Sequence, residues 1–550
     1  MATPHDATAP GPARSLPAFV AADRSVPLVD DTVGGLLAAR ASQHPGRDAL
    51  VGARHGSSAT HRLTYAQLVE EASRVAAALL AVADPGDLVA LWAPNVIEWT
   101  VIQYGAALAG VVLVALNPVL RDEELDYALR HSRARVLLHA DVSRGYAMAE
   151  VAERVCQGIP GICRISLSQY DTWMASASAG GPGSDAAVPG DPDAPVMLQY
   201  TSGTTGRPKG VLLTHRALIN VAKLTMEAVG IGEAQTCFNP LPLFHTAGCV
   251  IATLGPLWVG GTAVLCERFE PGAALEAMRR ERVDVLFYVP AVLHALLQRQ
   301  RESTSSAPRL RVIMGGAANV SSELIDGAAT VFGAGVYNLY GQTELAPVLT
   351  MTRPGDSRED LLHTVGRPLP QVDCKIADPD TGRMMGVGEV GEICARGYQQ
   401  FVEYLHDPVA TERALDAEGY VRTGDVGTMD ARGFVTVTGR LKELIIRGGE
   451  NISPVEVENM IARHDGIIEV VAIGLPDERL GELVAVACRV AADPPSDLRE
   501  SLLAHAAARM PAYQVPARWF VVDEFPMTPT GKVRRFELRN AALSGELDEL

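Results

Sequence analysis

The chain has 550 residues, of which 47% are hydrophobic and 21% are charged, as in globular proteins long enough to form two or more domains. Its formal charge of −17 at pH 7 argues against a surface that binds nucleic acid or anionic lipid. Any anion that it binds must therefore be held by a local site.

The cysteines and the N-terminus indicate the compartment. The eight cysteines form no CxxC pair, which argues against a zinc site or a disulfide framework and favours reduced thiols. Residues 1–27 begin with an Ala- and Pro-rich stretch that lacks the apolar run of a signal peptide, so we expect a flexible tail. No stretch reaches the roughly 18 apolar residues of a membrane span. We predict a soluble, cytoplasmic protein without a nucleic-acid partner.

The first predicted elements alternate between helix and strand. Thr64 and Gln67 have capping-box spacing and predict the start of a helix. Its buried face would carry Leu68, Ala72, Val75 and Leu79. Apolar runs of strand length lie at residues 88–94, 111–117, 283–290 and 310–316, and a helical stretch lies at 96–110. This alternation predicts an α/β fold with a largely parallel sheet.

The later part of the chain indicates a second domain. Residues 175–194 are small, polar and rich in Pro and Gly, which predicts a surface loop or linker. From about residue 440 the chain forms a segment of a small domain's size. There Ser453 is the predicted N-cap of a helix that buries Val457, Met460 and Ile461. We predict a tail over 1–27, a large domain over 28–438 and a small domain over 439–550.

The strongest chemical signal is the loop Tyr200-Thr-Ser-Gly-Thr-Thr-Gly-Arg-Pro-Lys-Gly210, which follows a strand-like run. Its small residues let backbone N–H groups approach a polyphosphate, and Lys209 supplies a cation. It is not a Walker A loop, because Pro208 replaces a required Gly and Gly210 replaces the Ser or Thr after the lysine. Hydroxyl groups come from Thr201, Ser202, Thr204 and Thr205.

Five further polar blocks accompany this loop. They are Leu241-Pro-Leu-Phe-His-Thr-Ala-Gly248, Tyr337-Asn-Leu-Tyr-Gly-Gln-Thr-Glu344 preceded by Gly315–Ala318, Tyr420-Val-Arg-Thr-Gly-Asp425, the segment 439–454 and Thr528-Pro-Thr-Gly-Lys-Val-Arg-Arg535. Each block alone has an ordinary structural interpretation, such as a core histidine, a turn or a charged surface. Their occurrence together in one chain favours a functional interpretation.

The loop and the blocks together resemble the adenylate-forming superfamily of acyl-CoA synthetases, luciferases and peptide-synthetase adenylation domains. The resemblance extends over about residues 30–540. It implies a large N-terminal α/β domain and a small, mobile C-terminal α+β domain. It also implies that the chain uses ATP, Mg²⁺ and coenzyme A and forms an acyl adenylate.

The resemblance implies a role for individual residues. Lys442 would be the hinge between the domains, and Gly448 and Gly449 would border the arm of CoA. The catalytic residues would be Lys532, His245, Glu344 and Thr204, of which Glu344 and Thr204 would also bind Mg²⁺. The nucleotide would be bound by Thr201, Ser202, Gly203, Thr204, Thr205, Gly206, Lys209, Gly316, Ala317, Ala318, Asn338, Tyr340, Gly341, Gln342, Thr343, Asp425, Arg440 and Lys532.

We therefore predict an ATP-dependent acid–CoA ligase. The candidate pocket segments are mostly apolar, which favours a hydrophobic monocarboxylic acid, whether fatty, aromatic or alicyclic, terpenoids included; these segments are 237–250, 286–296, 313–320 and 337–350. An acyl-AMP ligase that loads a carrier protein, a luciferase-like oxygenase and a catalytically silent nucleotide-binding relative stay open as alternatives. No obvious insertion separates Glu344 from Asp425, which argues against the carrier-loading type. A peptide-synthetase module would normally continue into a carrier domain beyond Lys532. The oligomeric state is left open, a homodimer included.

Overall fold

The computed structural model describes residues 16–178, 190–201, 207–316, 320–448, 450–490, 497–527 and 533–550. These residues form two compact units. The larger unit comprises residues 21–373 and 395–421, and the smaller one comprises residues 16–20, 374–394 and 422–550. Both units combine helices with strands, which confirms the predicted α/β class.

A six-stranded sheet of the larger unit has at one edge the two strands that flank the predicted phosphate-binding loop, residues 202–206. Its five strands from Pro195–Thr201 to Cys163–Ser166 run parallel, and Lys209–Thr214 pairs antiparallel at the edge. Across the sheet the strands are Lys209–Thr214, Pro195–Thr201, Val112–Leu116, Leu88–Trp92, Val136–His139 and Cys163–Ser166.

A nine-stranded sheet of the same unit has a parallel centre. Its strands are, in order, Arg367–Pro368, Thr350–Met351, Gly335–Tyr340, Val312–Gly316, Val285–Tyr288, Thr236–Asn239, Thr262–Leu265, Asp48–Ala53 and Thr60–Thr64. The six from Gly335–Tyr340 to Asp48–Ala53 run parallel. Their carboxyl ends share one sheet edge, where ligands of open α/β sheets usually bind.

Helices pack around these sheets in the larger unit. They are Val33–Gln43, Tyr65–Leu80, Ile97–Ala109, Asp122–Ser132, Met148–Gln157, Tyr170–Ser178, His215–Ala228, Ala252–Trp258, Pro271–Arg280, Pro290–Arg301, Ser322–Phe332, Arg358–His363 and Pro408–Arg413. Shorter elements are the 3-10 helices Leu167–Gln169 and Thr343–Leu345, the π-helix Ala247–Ile251 and the hairpin Val142–Ser143 with Tyr146–Ala147.

Two sheets lie wholly or mostly in the smaller unit. One has the strands Phe19–Val20, Val372–Ala377, Gly391–Gly397, Val421–Met429 and Val435–Arg440. The other has Glu450–Ile452, Ile445–Arg447, Gly481–Val490, Arg518–Val521 and Asp548–Glu549, with Ile467–Asp477 paired to Gly481–Val490. Its helices are Leu441–Glu443, of 3-10 type, Pro454–Ile461, Leu498–Ala507 and Arg535–Ser544.

The structure confirms the predicted helix starts and buried runs. Thr64 and Gln67 form the capping box of Tyr65–Leu80, whose buried residues include Leu68, Ala72, Val75 and Leu79. Ser453 caps Pro454–Ile461, in which Val457 and Ile461 are buried and Met460 packs against the same core. The runs 88–94, 111–117, 283–290 and 310–316 each contain a strand, and 96–110 contains a helix.

The loop predicted over 175–194 needs one correction and lies partly outside the described residues. The helix Tyr170–Ser178 continues into the stretch 175–194, because its Ala and Ser residues are compatible with a helix. Residues 179–189 of that stretch are outside the described part of the chain. In the described ranges, no helix is both long and apolar enough to span a membrane.

Candidate functional site

The predicted phosphate-binding loop, residues 202–206, connects the antiparallel strands Pro195–Thr201 and Lys209–Thr214. Thr201 pairs with Lys209 in register, and the Thr201 hydroxyl donates to the Lys209 carbonyl oxygen at 3.5 Å. This pairing places the Lys209 side chain at the base of the connection. The predicted ligands Ser202, Gly203, Thr204, Thr205 and Gly206 lie outside the described residues.

Lys209 and Glu344 meet a common side chain, Tyr404. The Tyr404 hydroxyl donates to Glu344 Oε1 at 2.7 Å, and the Lys209 ammonium lies 4.3 Å from the centre of the tyrosine ring. Glu344 and Tyr404 are 9% and 8% exposed. Burial, followed by the neighbouring Glu344 carboxylate, raises the pKa of Tyr404 above its ordinary value, so the phenol stays protonated and donates. The structure thus brings a predicted phosphate ligand and the predicted metal ligand to one residue.

The segment that carries Tyr404 is hydrogen-bonded on two sides. Val402 N–H donates to Leu212 O at 2.8 Å, and Leu212 N–H donates to Glu403 O at 3.1 Å. On the other side, Phe401 N–H donates to Glu344 O at 2.9 Å. Main-chain bonds therefore hold Tyr404 between the strand Lys209–Thr214 and the turn at Glu344.

The predicted adenine-side residues lie at the carboxyl ends of two neighbouring parallel strands. Gly316 pairs with Leu339, and a β-carbon at Gly316 would lie 2.0 Å from Leu339 O, so no larger residue fits. Asn338 is buried, and its N–H donates to Thr352 Oγ1 at 2.8 Å. The half-buried Tyr340 ends its strand, Gly341 and Gln342 follow, and Thr343 begins the 3-10 helix Thr343–Leu345. Ala317 and Ala318 are outside the described ranges.

His245 lies in the segment that follows the parallel strand Thr236–Asn239. Its side chain is half-buried, and its Nδ1 accepts a hydrogen bond from Ala247 N–H at 3.2 Å. The backbone at Gly248 passes so close to Pro242 that a β-carbon at Gly248 would lie 2.1 Å from Pro242 O, so glycine is required there. The π-helix Ala247–Ile251 then begins, an irregularity that is frequent at functional sites.

Asn95 holds the His245 segment and was not anticipated from the sequence. Its Nδ2 donates to Leu241 O at 2.8 Å, and its Oδ1 accepts from Leu243 N–H at 2.9 Å. Asn95 is 8% exposed and closely follows the strand Leu88–Trp92. Its position at a strand end was the only available signal, and it does not identify the partner.

Asp425 and Arg440 form an ion pair in the smaller unit. Arg440 Nε lies 2.8 Å from Asp425 Oδ1, and the two residues are register partners in an antiparallel pair. Asp425 is 3% exposed. Asp425 lies in the strand Val421–Met429, where Gly424 has a φ of +70°, rather than on the tight turn that a Thr-Gly-Asp sequence often forms. Strand pairing with Arg440 thus fixes the carboxylate.

The remaining predicted residues of the smaller unit are only partly described. Lys442 is exposed in the 3-10 helix Leu441–Glu443, which follows the strand Val435–Arg440. Gly448 is exposed, has a φ of +62°, and donates its N–H to Leu480 O at 2.7 Å. A left-handed φ favours glycine at this position. Gly449 and Lys532 lie outside the described residues.

Glu344 fits a magnesium ligand by its chemistry. Among the residues that the structure describes, no group of three or more His, Cys, Asp or Glu side chains could hold a metal ion. Magnesium that is bound mainly by substrate phosphates needs only one or two carboxylates. The single carboxylate of Glu344, close to the Lys209 strand, meets that requirement. The second predicted ligand, Thr204, is outside the described part.

Comparison with known proteins identifies the family. Residues 37–405 match the AMP-binding enzyme family, and residues 456–532 match the AMP-binding enzyme C-terminal domain. The acyl-CoA synthetase YngI of Bacillus subtilis is 32% identical over 94% of this chain and 98% of its own length. The mitochondrial medium-chain acyl-CoA ligase ACSF2 of Macaca fascicularis is 31% identical over 93% of this chain and 87% of its own length.

A solved structure agrees with these relatives. The crystal structure of the anthranilate CoA ligase AuaEII in complex with anthranoyl-AMP superposes with a TM-score of 0.83 at 25% identity, and covers 95% of this chain and 99% of that one. The family matches extend over both the Lys209–Glu344 region and the C-terminal region. The chain therefore belongs to the AMP-binding enzyme family, among the acyl-CoA synthetases of the adenylate-forming superfamily.

Proposed function

We propose that this acyl-CoA synthetase activates a hydrophobic monocarboxylic acid with ATP and transfers the acyl group to coenzyme A. The observation that carries the proposal is the meeting of Lys209 and Glu344 at Tyr404, because a cation suited to phosphate and a carboxylate suited to a metal ion contact the same side chain. The pairing of Asp425 with Arg440 supports the same reaction, since a fixed carboxylate can accept two hydrogen bonds from ribose hydroxyl groups.

The first half-reaction joins two anions. A carboxylate oxygen of the acid attacks the α-phosphorus of ATP, the bond to pyrophosphate breaks, and pyrophosphate leaves with its electron pair. Lys209 and Lys532 would offset the repulsion between the acid and the triphosphate. Positive groups placed where charge develops in the transition state usually contribute most to the rate of such reactions. Magnesium held by Glu344 and Thr204 would neutralise charge on the phosphates. The nucleotide would be oriented by residues at two strand ends and the segment that follows, namely Gly316, Asn338, Tyr340, Gly341, Gln342 and Thr343.

The second half-reaction uses a thiol. The CoA thiol loses its proton to solvent and its sulfur attacks the acyl carbon of the adenylate, the bond between that carbon and the phosphate oxygen breaks, and AMP leaves with the electron pair. We propose that rotation about Lys442 removes Lys532 and presents the segment of Gly448 and Gly449 to the CoA arm. Such gating lets one site serve two reactions. The exposure of Lys442 supports this role, because a solvated hinge residue can change conformation without unpacking a core.

The proposed acid is fatty, aromatic or alicyclic, terpenoids included. Two observations support this class over acetate or a dicarboxylic acid. The strands Val285–Tyr288 and Val312–Gly316, which overlap two of the segments predicted to line the acid pocket, are apolar and almost fully buried. The relatives include a ligase named for medium-chain acids and one solved with an aromatic acyl adenylate.

The cellular setting is also part of the proposal. We place the protein in the cytoplasm, where its eight free cysteines would stay reduced. Burial raises the pKa of Cys374 and Cys488 to about 12, which keeps these thiols protonated and unreactive. Some relatives are named as mitochondrial, so cell fractionation would decide the compartment. The oligomeric state, including a homodimer, would be measured by light scattering.

Pyrophosphate release with a panel of acids tests the proposed function. Medium-chain, aromatic and alicyclic monocarboxylates should release pyrophosphate from ATP, and acetate and malonate should do so much more slowly. Added CoA should then yield an acyl thioester and AMP, measured by mass spectrometry. Acyl-AMP that accumulates and ignores CoA would instead identify a carrier-loading ligase, and the absence of pyrophosphate with every acid would identify a silent relative.

A further inference from the structure

Tyr404 has a position that no motif predicted. It contacts both the Lys209 ammonium and the Glu344 carboxylate, although it lies 60 residues from Glu344 along the chain. Its hydroxyl and its ring serve different partners. The hydroxyl donates to Glu344 Oε1, and the ring lies next to Lys209 at 4.3 Å.

The hydroxyl fixes the orientation of the Glu344 carboxylate. A hydrogen bond at 2.7 Å to a buried carboxylate is short and charge-assisted, and such bonds are stronger than neutral ones. With Oε1 engaged, the carboxylate plane is restrained and its further lone pairs have a defined direction. A metal ligand that is already oriented loses less conformational freedom on binding.

The ring restrains the Lys209 ammonium. A cation near a tyrosine ring is attracted by the electrons of the ring face, more strongly when water is partly excluded. The Tyr404 ring is itself positioned by Phe401, whose ring centre lies 4.9 Å away. Lys209 begins its strand half-buried, so the attraction confines a long side chain that would otherwise sample several rotamers.

We propose that Tyr404 is a positioning residue that orients the metal ligand Glu344 through its hydroxyl and the phosphate ligand Lys209 through its ring. This inference rests on the proposed function, in which Glu344 binds Mg²⁺ and Lys209 binds phosphate. Tyr404 itself touches neither the acid nor the α-phosphate in this role. It couples magnesium binding to ATP binding by holding both ligands in one geometry.

Calorimetric titration of ATP, with and without Mg²⁺, tests the inference without turnover. Tyr404→Phe removes only the hydroxyl and should weaken the enhancement of ATP binding by Mg²⁺ about tenfold, with metal-free ATP affinity unchanged. Tyr404→Leu removes the ring as well as the hydroxyl. In addition to the weaker Mg²⁺ enhancement, it should weaken metal-free ATP binding about threefold relative to the wild type. Tighter metal-free binding by the leucine variant would overturn the inference, because the ring would then compete with ATP for Lys209.

A double-mutant cycle separates orientation from general damage. Glu344→Gln should lose the Mg²⁺ enhancement, and adding Tyr404→Phe to it should cause no further loss, because both changes act on one interaction. Tyr65→Phe is the matched control, since it removes another buried tyrosine hydrogen bond, at 2.7 Å to Gly261 O, far along the chain from these residues. It should leave the Mg²⁺ enhancement as in the wild type.

The outcomes distinguish the inference from the proposed function. If wild-type ATP binding gains nothing from Mg²⁺, the proposed metal role of Glu344 fails, and the inference fails with it. If the wild type gains and Tyr404→Phe gains equally, only the role of Tyr404 is wrong. Additive losses in the double mutant would also contradict it. Calorimetric unfolding of each variant would show whether the leucine variant is folded, and the phenylalanine variant keeps the test valid if it is not.

Discussion

A single buried histidine shows how one residue links burial to pH. His215 begins the helix His215–Ala228, is 1% exposed, and accepts a hydrogen bond at Nδ1 from Val33 N–H at 3.1 Å. Burial lowers its pKa to about 4, against a smaller opposing effect of Asp191. A protonated ring would have no lone pair for Val33, so the folded state requires the neutral form.

This histidine predicts a loss of stability in mild acid. An unfolded histidine titrates near pH 6.5, so between about pH 4 and 6.5 the unfolded state binds more protons and is favoured as the pH falls. The contribution of His215 is complete above that window, and about 2 kcal/mol of it should be lost between pH 7.5 and 5. Urea unfolding at both pH values measures the difference.

The pH test needs two variants for comparison. His215→Gln, which keeps an acceptor without a titrating group, should show a pH dependence smaller by this amount. His363→Gln, which replaces an exposed histidine in the same way, is the comparison for the substitution itself. Equal slopes for the wild type and His215→Gln would assign the acid sensitivity to other groups.

At the scale of elements, an irregular helix start shapes the His245 segment. The π-helix Ala247–Ile251 precedes the helix Ala252–Trp258, and the Gly248 carbonyl accepts from Asn239 Nδ2 at 3.1 Å and from Thr253 Oγ1 at 2.6 Å. The two donors hold the Gly248 carbonyl, and the Gly248 backbone passes so close to Pro242 that a β-carbon would lie 2.1 Å from Pro242 O. The close approach of this segment to Pro242 therefore requires glycine at position 248.

Gly248→Ala should therefore destabilise the protein and weaken binding of the acid. Its β-carbon would lie 2.1 Å from Pro242 O, so backbone must move, at a cost of about 1–3 kcal/mol in urea unfolding. The displaced His245 should raise the KM for the acid more than that for ATP. Gly255→Ala is the control, because its β-carbon would meet only the flexible side chain of Met226, at 3.1 Å. If both variants behave alike, the close approach has no functional role.

At the scale of the whole molecule, the proposed catalytic groups are distributed over two compact units. Lys209, His245 and Glu344 belong to the larger unit, whereas Asp425 and Lys442 belong to the smaller one. Both units carry residues assigned to a single nucleotide.

Lys532→Ala tests this division of labour. It should reduce adenylation by several orders of magnitude, and it should spare thioester formation from supplied acyl-AMP, because the lysine would act only in the first half-reaction. Pyrophosphate release and thioester formation are measured separately. Arg534→Ala is the control, because it removes a positive charge that is close in sequence and pairs with Glu537 at 2.7 Å, and it should affect neither step. Equal losses in both steps for Lys532→Ala would contradict alternation.

Local sequence determined the elements of this fold. The capping box at Thr64 and the N-cap at Ser453 predicted helix starts, since caps involve residues within one turn. The runs 88–94 and 310–316 predicted buried strands. A strand that is buried on both faces needs apolar side chains at nearly every position, whichever strand lies beside it. The motifs, through their resemblance to a family, showed the family to which the chain belongs and predicted which residues bind the nucleotide.

Tertiary structure decided how those elements meet. Tyr404 next to Glu344, Asn95 beneath the His245 segment and the placement of Asp425 in a strand each depend on which strands pair, which no local pattern contains. The same holds for residues 374–394, which cluster with the chain beyond 421. Contacts between residues distant in sequence arise from sheet order and chain crossing, so sequence periodicity cannot specify them.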